Sequence, residues 1–167
     1  MAENETDAAQ QGGEQKTIQP QKVYLKDISF ETPNSPRIFT KKWAPEIQVE
    51  FQNSANEIGT DLYEIVVTLT VTTAVEGETA YLAEVHQAGI FVMKGFDPED
   101  LHMKQNVYCM RFLYPYASAA VSDLVTRGGF PQLLLSPLNF EKMYFDRVNR
   151  LNENAAGEGE QSEPQQA

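Results

Sequence analysis

Apolar and polar side chains alternate along the first part of the chain. In residues 22–31, Leu25, Asp27, Ser29 and Glu31 fall on one side and Tyr24, Lys26, Ile28 and Phe30 on the other. This predicts a strand that ends at Pro33-Asn34-Ser35-Pro36. Residues 37–45 read as a connection, with Trp43 near its end and Pro45 as a breaker. In residues 46–52, Ile47, Val49 and Phe51 alternate with Glu46, Gln48, Glu50 and Gln52, a half-buried strand with one wet face. A polar stretch, Asn53 to Asp61, follows. The clearest strand is 62–73: Tyr63, Ile65, Val67, Leu69 and Val71 share a face, Thr68, Thr70 and Thr72 the other. Glu76-Gly77-Glu78 is a tight turn. Residues 79–92 run back, with Tyr81, Ala83, Val85 and Phe91 opposite Leu82, Glu84, His86 and Ile90, which makes a long hairpin.

Beyond this point the period changes from two to 3.6. Asp97 and Pro98 suit the N-cap and first position of a short helical turn. Around 108–127, Ala117, Ala120, Val121, Leu124 and Val125 form one stripe, with Arg127 and Gly128 at a C-terminal stop. Pro115 is expected to start a new segment or to kink this helix. Residues 128–138 form a loop that carries Leu133-Leu134-Leu135 between prolines. From Asn139, a candidate N-cap, Phe140, Met143, Tyr144, Val148 and Leu151 recur on one face of a second helix. Strands followed by helices predict an α+β fold with an antiparallel sheet.

Composition sharpens the picture. The chain of 167 residues has a formal net charge of -11. Residues 1–16 hold -3 and residues 153–167 hold -4, leaving -4 on the body. Both ends lack the apolar area needed to offset ordering, so 1–20 and 153–167 are expected to be disordered tails around one domain, 21–152. Lys41-Lys42 is the only basic pair in sequence, which argues against nucleic acid. No stretch is apolar enough to insert in a membrane, and the N-terminus has no apolar signal region. A single cysteine, Cys109, fits a reducing cytoplasm.

The sequence shows no catalytic kit. His86 and His102, read in a strand and a loop, share no spacing motif and are expected to be solvated or hydrogen-bonded. One Cys and two scattered His argue against a metal, and no Gly-rich loop cradles a phosphate or other cofactor. Cys109 reads as a buried or interfacial thiol. The triple leucine is either a loop folded onto the core or the wall of an exposed groove. An acidic shell around apolar surface points to a binding protein before an enzyme.

Several segments are specific enough to place the chain. Tyr24-Leu25-Lys26-Asp27-Ile28-Ser29-Phe30-Glu31, Trp43-Ala44-Pro45-Glu46 and Glu78-Thr79-Ala80-Tyr81-Leu82-Ala83-Glu84-Val85 come first. Gly89-Ile90-Phe91, Phe112-Leu113-Tyr114-Pro115-Tyr116-Ala117, Arg127-Gly128-Gly129-Phe130-Pro131-Gln132-Leu133 and Pro137-Leu138-Asn139-Phe140 follow in order. Together they resemble the SecB family of bacterial protein-export chaperones.

The resemblance implies a four-stranded antiparallel sheet with two C-terminal helices packed on one side. It implies no catalysis and no cofactor, and a homotetramer built as a dimer of dimers. Such a protein holds unfolded precursor proteins in the cytoplasm and delivers them to the translocation motor SecA. Positions matching the family's motor-binding face are Asp27, Glu31, Leu82 and Glu84. Those fitting its client groove are Trp43, Ile47, Val49, Phe51, Leu133, Leu134, Phe140, Met143 and Tyr144. About half of the groove set is expected to face clients. Ala83, Val85 and Gln87 match positions at subunit contacts. Met110-Arg111 after Cys109, and a C-terminal tail with no basic residue, depart from the family pattern. The competing reading is a small α+β enzyme or ligand-binding domain with a pocket between sheet and helices.

Overall fold

The period-two stretches become four long strands: β1 (Thr17–Glu31), β2 (Pro45–Gly59), β3 (Leu62–Val75) and β4 (Glu78–Lys94). Three helices follow: α1 (Pro98–Asn106), α2 (Tyr108–Arg127) and α3 (Phe140–Gly159). The computed structural model describes residues 15–159, with side chains through Asn154. The expected disorder of residues 1–14 and 160–167 falls outside the described residues.

All pairings are antiparallel, in the order β1-β4-β3-β2, so β1 and β2 are the edges. Strand β1 begins before the expected boundary: Thr17, Ile18 and Gln19 pair with Lys94, Met93 and Val92. The polar stretch after Gln52 is strand as well, because its backbone pairs with β3 as far as Gly59. Side-chain pattern is silent there, since little covers either face of that end of an edge strand. The β3–β4 hairpin turns at Glu76 and Gly77, with φ of 51° and 76°. Positive φ at both central residues matches the twist of the flanking strands.

One side of the sheet carries the helices. Ile65, Val67, Leu69 and Val71 of β3 and Tyr81, Ala83, Val85 and Phe91 of β4 point there and are fully or almost fully buried. The predicted facing of β3 and β4 therefore holds. That of β1 holds only in part. A register shift between Leu25 and Asp27 inserts an extra residue, so Leu25 pairs with Gln87 on the helix side while Asp27 pairs with His86 on the open side. A bulge reverses which face later residues occupy.

Helix α2 lies on β4, β3 and β1. It remains helical through Pro115 rather than breaking there. Burial of Leu113, Tyr114, Ala117 and Val121 around the proline offsets the missing amide hydrogen bond. Its end is a Schellman motif: Gly129 takes φ of 86°, its N–H donates to the Thr126 carbonyl, and Phe130 N–H reaches back to the Val125 carbonyl at 3.2 Å. This reversal delivers Phe130 into the core.

Helix α1 is a full helix, not a single turn, so His102 is helical rather than in a loop. Asp97 caps it, accepting from Asp100 N–H at 2.9 Å. Asp97→Ala should cost about 1 kcal/mol, read from urea unfolding at fixed protein concentration. Asn139 caps α3 through the Lys142 N–H at 3.0 Å. Helix α3 continues to Gly159, past the expected tail boundary at 153. The two expected C-terminal helices are α2 and α3; α3 packs through Phe140 and Tyr144, the latter against His102 of α1, and leaves Phe145 and Leu151 open to solvent.

Candidate functional site on two faces of one sheet

The open side of the sheet gathers the expected motor-binding positions. Adjacent rungs pair Glu31 with Leu82, Ser29 with Glu84 and Asp27 with His86. Glu50 joins the same face through Thr70, which pairs with both Glu50 and Glu84. Asp27 Oδ1 accepts from the Ile28 N–H at 2.9 Å. Glu84 accepts from Thr70 Oγ1 at 3.1 Å and lies 2.8 Å from His86 Nε2. The His86 ring, then Thr70, hold its carboxyl below the usual carboxylate range. The face is thus a row of carboxylates over a β-branched floor. Further along it, Glu64 binds Lys26 at 2.8 Å and also accepts from the Tyr24 hydroxyl.

The helix side at β2 is the apolar counterpart. Because α2 sits over β4, β3 and β1, the inner face of β2 stays open: Ile47 and Val49 are 45% and 44% exposed. At one end, Trp43 packs tilted against Phe130 (5.7 Å between centroids), which also meets Phe39 and Tyr81 at 4.9 Å. At the other end, Phe51 and Phe140 are 5.5 Å apart, and Tyr114 is 5.5 Å from Phe140. Phe51, Phe140, Met143 and Tyr144 line a cleft of about 450 Å³ whose polar rim includes Asn53, Asn106, Arg147 and Arg150.

The expected client set is therefore divided. Trp43, Ile47, Val49, Phe51, Met143 and Tyr144 present surface along β2 and α3, whereas Phe140 is 4% exposed and forms floor. Leu133 and Leu134 belong to a second cleft of about 690 Å³, bounded by the loop and by Tyr114, Pro115, Ser118 and Ala119 of α2. Leu134 is 75% exposed, while Leu133 and Leu135 pack partly against the core. Both readings of the triple leucine hold, for different residues. Sequence reasoning missed Phe39, which is exposed beside Trp43, and Phe130, the buried ring that both pack on. Neither sits in a periodic stretch, and only the reversal after α2 brings them beside Trp43.

The subunit-contact expectation needs correcting. Ala83 and Val85 are fully buried on the helix side of an inner strand, and Gln87 donates to the Tyr24 carbonyl at 2.8 Å. Ala83 and Val85 pack in the core of this chain, and Gln87 ties β4 to β1. The exposed apolar positions near that margin are Leu25 and Ile28 on edge strand β1, with Tyr108 and Tyr116 on α2.

Reactive chemistry is weak. Burial pushes the Cys109 thiol up to about 12, which disfavours the thiolate. Among the described residues, no group of three or more His, Cys, Asp or Glu is placed to hold a metal. Also among the described residues, no helix is long and apolar enough to cross a membrane.

Comparison with known proteins agrees with this architecture. A family model described as preprotein translocase subunit SecB matches residues 11–151. Protein-export protein SecB of Nitrosococcus oceani is 43% identical over 161 residues, covering 95% of this chain and 98% of the relative. That of Marinobacter nauticus is 38% identical, covering 98% and 99%; that of Hydrogenovibrio crunogenus is 45% identical, covering 84% and 95%. The fold is similar to that of a SecB-like chaperone of Mycobacterium tuberculosis, solved in complex with a ChAD peptide from the HigA1 antitoxin. Its TM-score is 0.60 at 19% identity, covering 73% of this chain and 90% of that one. The chain belongs to the SecB family of protein-export chaperones, which are not enzymes.

Proposed function

We propose that this protein is a holdase that binds unfolded precursor proteins on the helix side of its sheet and delivers them to SecA from the open side. The observation that carries this reading is the opposition of the two surfaces. Ile47, Val49 and Phe51 and the carboxylates of Glu31 and Glu84 lie on opposite faces of one sheet. Aromatic rings and Met143 give large contacts that tolerate many sequences. The unpaired edge of β2, beside those side chains, offers backbone hydrogen bonds to an extended segment. Several such patches on an assembly would hold one client by avidity.

Strand β1 supports assembly. Its outer edge is unpaired, and Leu25 and Ile28 project from it into solvent. Such an edge is a template for a second copy, in keeping with a homotetramer built from dimers. A cytoplasmic location follows from the same reading, since clients are met before export. Light scattering with and without a chemically unfolded precursor tests the reading: a tetramer that gains the client's mass supports it, and a monomer indifferent to unfolded chains defeats it. Within the loop, Leu134→Ser should weaken client binding about threefold, the order expected for one lost apolar contact. Stability should stay within about 0.5 kcal/mol, with anisotropy and urea unfolding as the two readouts.

A further inference from the structure

His86 stands among the carboxylates of the open face, and its role there goes beyond filling a strand position. Its Nε2 lies 2.8 Å from Glu84 Oε1 and its Nδ1 3.4 Å from Thr68 Oγ1. On β1 the residue opposite is Asp27, with Glu31 two rungs further along. On β3 the facing residues, Thr68 and Thr70, are uncharged, and beyond them β2 contributes Gln52 and Glu50. Of the cations on this side, Lys26 is bound to Glu64, which Tyr24 also contacts, and Lys22 pairs with Ile90, two rungs from His86 in the direction away from Glu31. The charged groups nearest the imidazole are therefore carboxylates, Glu84 directly and Asp27 opposite, with Glu50 and Glu31 on one side and Lys22 two rungs away on the other.

We propose that His86 makes docking on the open face proton-linked, holding Glu84 in position in both of its protonation states but cancelling a negative charge when protonated. The inference rests on the reading of this face as the motor's docking surface. With Nε2–H donating to Glu84, Nδ1 is left to accept from the Thr68 hydroxyl. Protonating Nδ1 turns that contact around without disturbing Glu84. The geometry persists and the charge changes. Imidazoles change charge between pH 5 and 8, and carboxylates next to a cationic imidazole remain ionised there. A basic partner thus meets a more negative face at the upper end of that range. Its arrival disfavours the charged imidazole and releases a proton. Linkage requires the converse: lowering the pH weakens docking.

Calorimetric titration of the full-length protein with purified SecA tests this, at constant ionic strength, about pH 6 and about pH 8, in two buffers of different ionisation enthalpy. Wild-type affinity should fall about fivefold at the lower pH, the size expected for one partly screened charge. His86→Gln should remove most of that dependence. His86→Lys should stay at the weak level throughout. Titrations within SecA are common to all three proteins, so the differences between their profiles belong to His86. A His86→Gln protein with the wild-type pH profile overturns the proposal. Glu84→Lys, measured at the higher pH, separates this from failure of the docking reading. If it leaves affinity unchanged, the face is not where SecA docks; if it weakens binding while His86→Gln changes nothing, only the proton linkage is wrong.

Discussion

Converting Asp27, Glu31 and Glu84 to lysine together should lower affinity for SecA by about a hundredfold or more, while an unfolded client should bind within about twofold of wild type. The three side chains occupy successive rungs of β1 and β4 on the open side, so a basic surface laid there meets all of them. Each reversal replaces an attraction by a repulsion. At partly screened distances of several ångströms this amounts to about 1 kcal/mol per site, and three sites compound to about two decades. Asp27 and Glu31 are exposed, and Glu84 is half-exposed, so no core contact is lost. Fluorescence anisotropy at low and high salt provides the check. Wild-type binding should weaken as salt rises, and the triple variant should lose that slope. A loss of client binding in parallel, with an unchanged assembly, would show that the two surfaces are not separate.

The second large effect concerns the scaffold that keeps these faces apart. Leu113 is fully buried where α2 presses on β4. The approach is so close that a Cβ placed on Gly89 would lie 2.9 Å from Leu113 Cδ2 and 2.7 Å from the Phe91 ring. Leu113→Ala removes methyl groups from a site whose rigid neighbours cannot collapse onto the space. It should cost about 3–4 kcal/mol. Leu134→Ala, the same chemical change at an exposed position, should cost less than about 0.5 kcal/mol. Urea unfolding at one protein concentration measures both. Equal losses for the two leucines would contradict the assignment of one to the core and the other to the surface.

The sequence exposes some of this directly and hides the rest for physical reasons. Strands β3 and β4 and the stripe of α2 are legible because each has one face sealed, and burial imposes a period on the residues. The far half of β2 is hidden because an edge strand with little cover on either face has no such pattern. The bulge in β1 is also invisible: an extra residue changes parity without changing composition, so alternation alone puts Leu25 on the face of Asp27. The acidic face survives that error, since Asp27, Ser29 and Glu31 all lie beyond the shift. Ala83, Val85 and Gln87 show the opposite limit. Their small or neutral character announces close packing, but not whether the neighbour lies in this chain or in another. The apolar surface was half legible. Ile47, Val49 and Phe51 follow from alternation, whereas Phe39 lies in a 3-10 turn at Arg37–Thr40 and Phe130 follows the Schellman reversal. Family membership favours a chaperone over an enzyme or small-ligand domain.

Site-specific photocrosslinking from Val49 and, separately, from Glu84 tests the account at its centre. With an unfolded precursor and SecA both present, the probe at 49 should capture the precursor and the probe at 84 should capture SecA, each with little of the other product. Capture of the precursor from both positions, or of SecA from 49, would mean that one sheet does not keep cargo and motor on opposite sides.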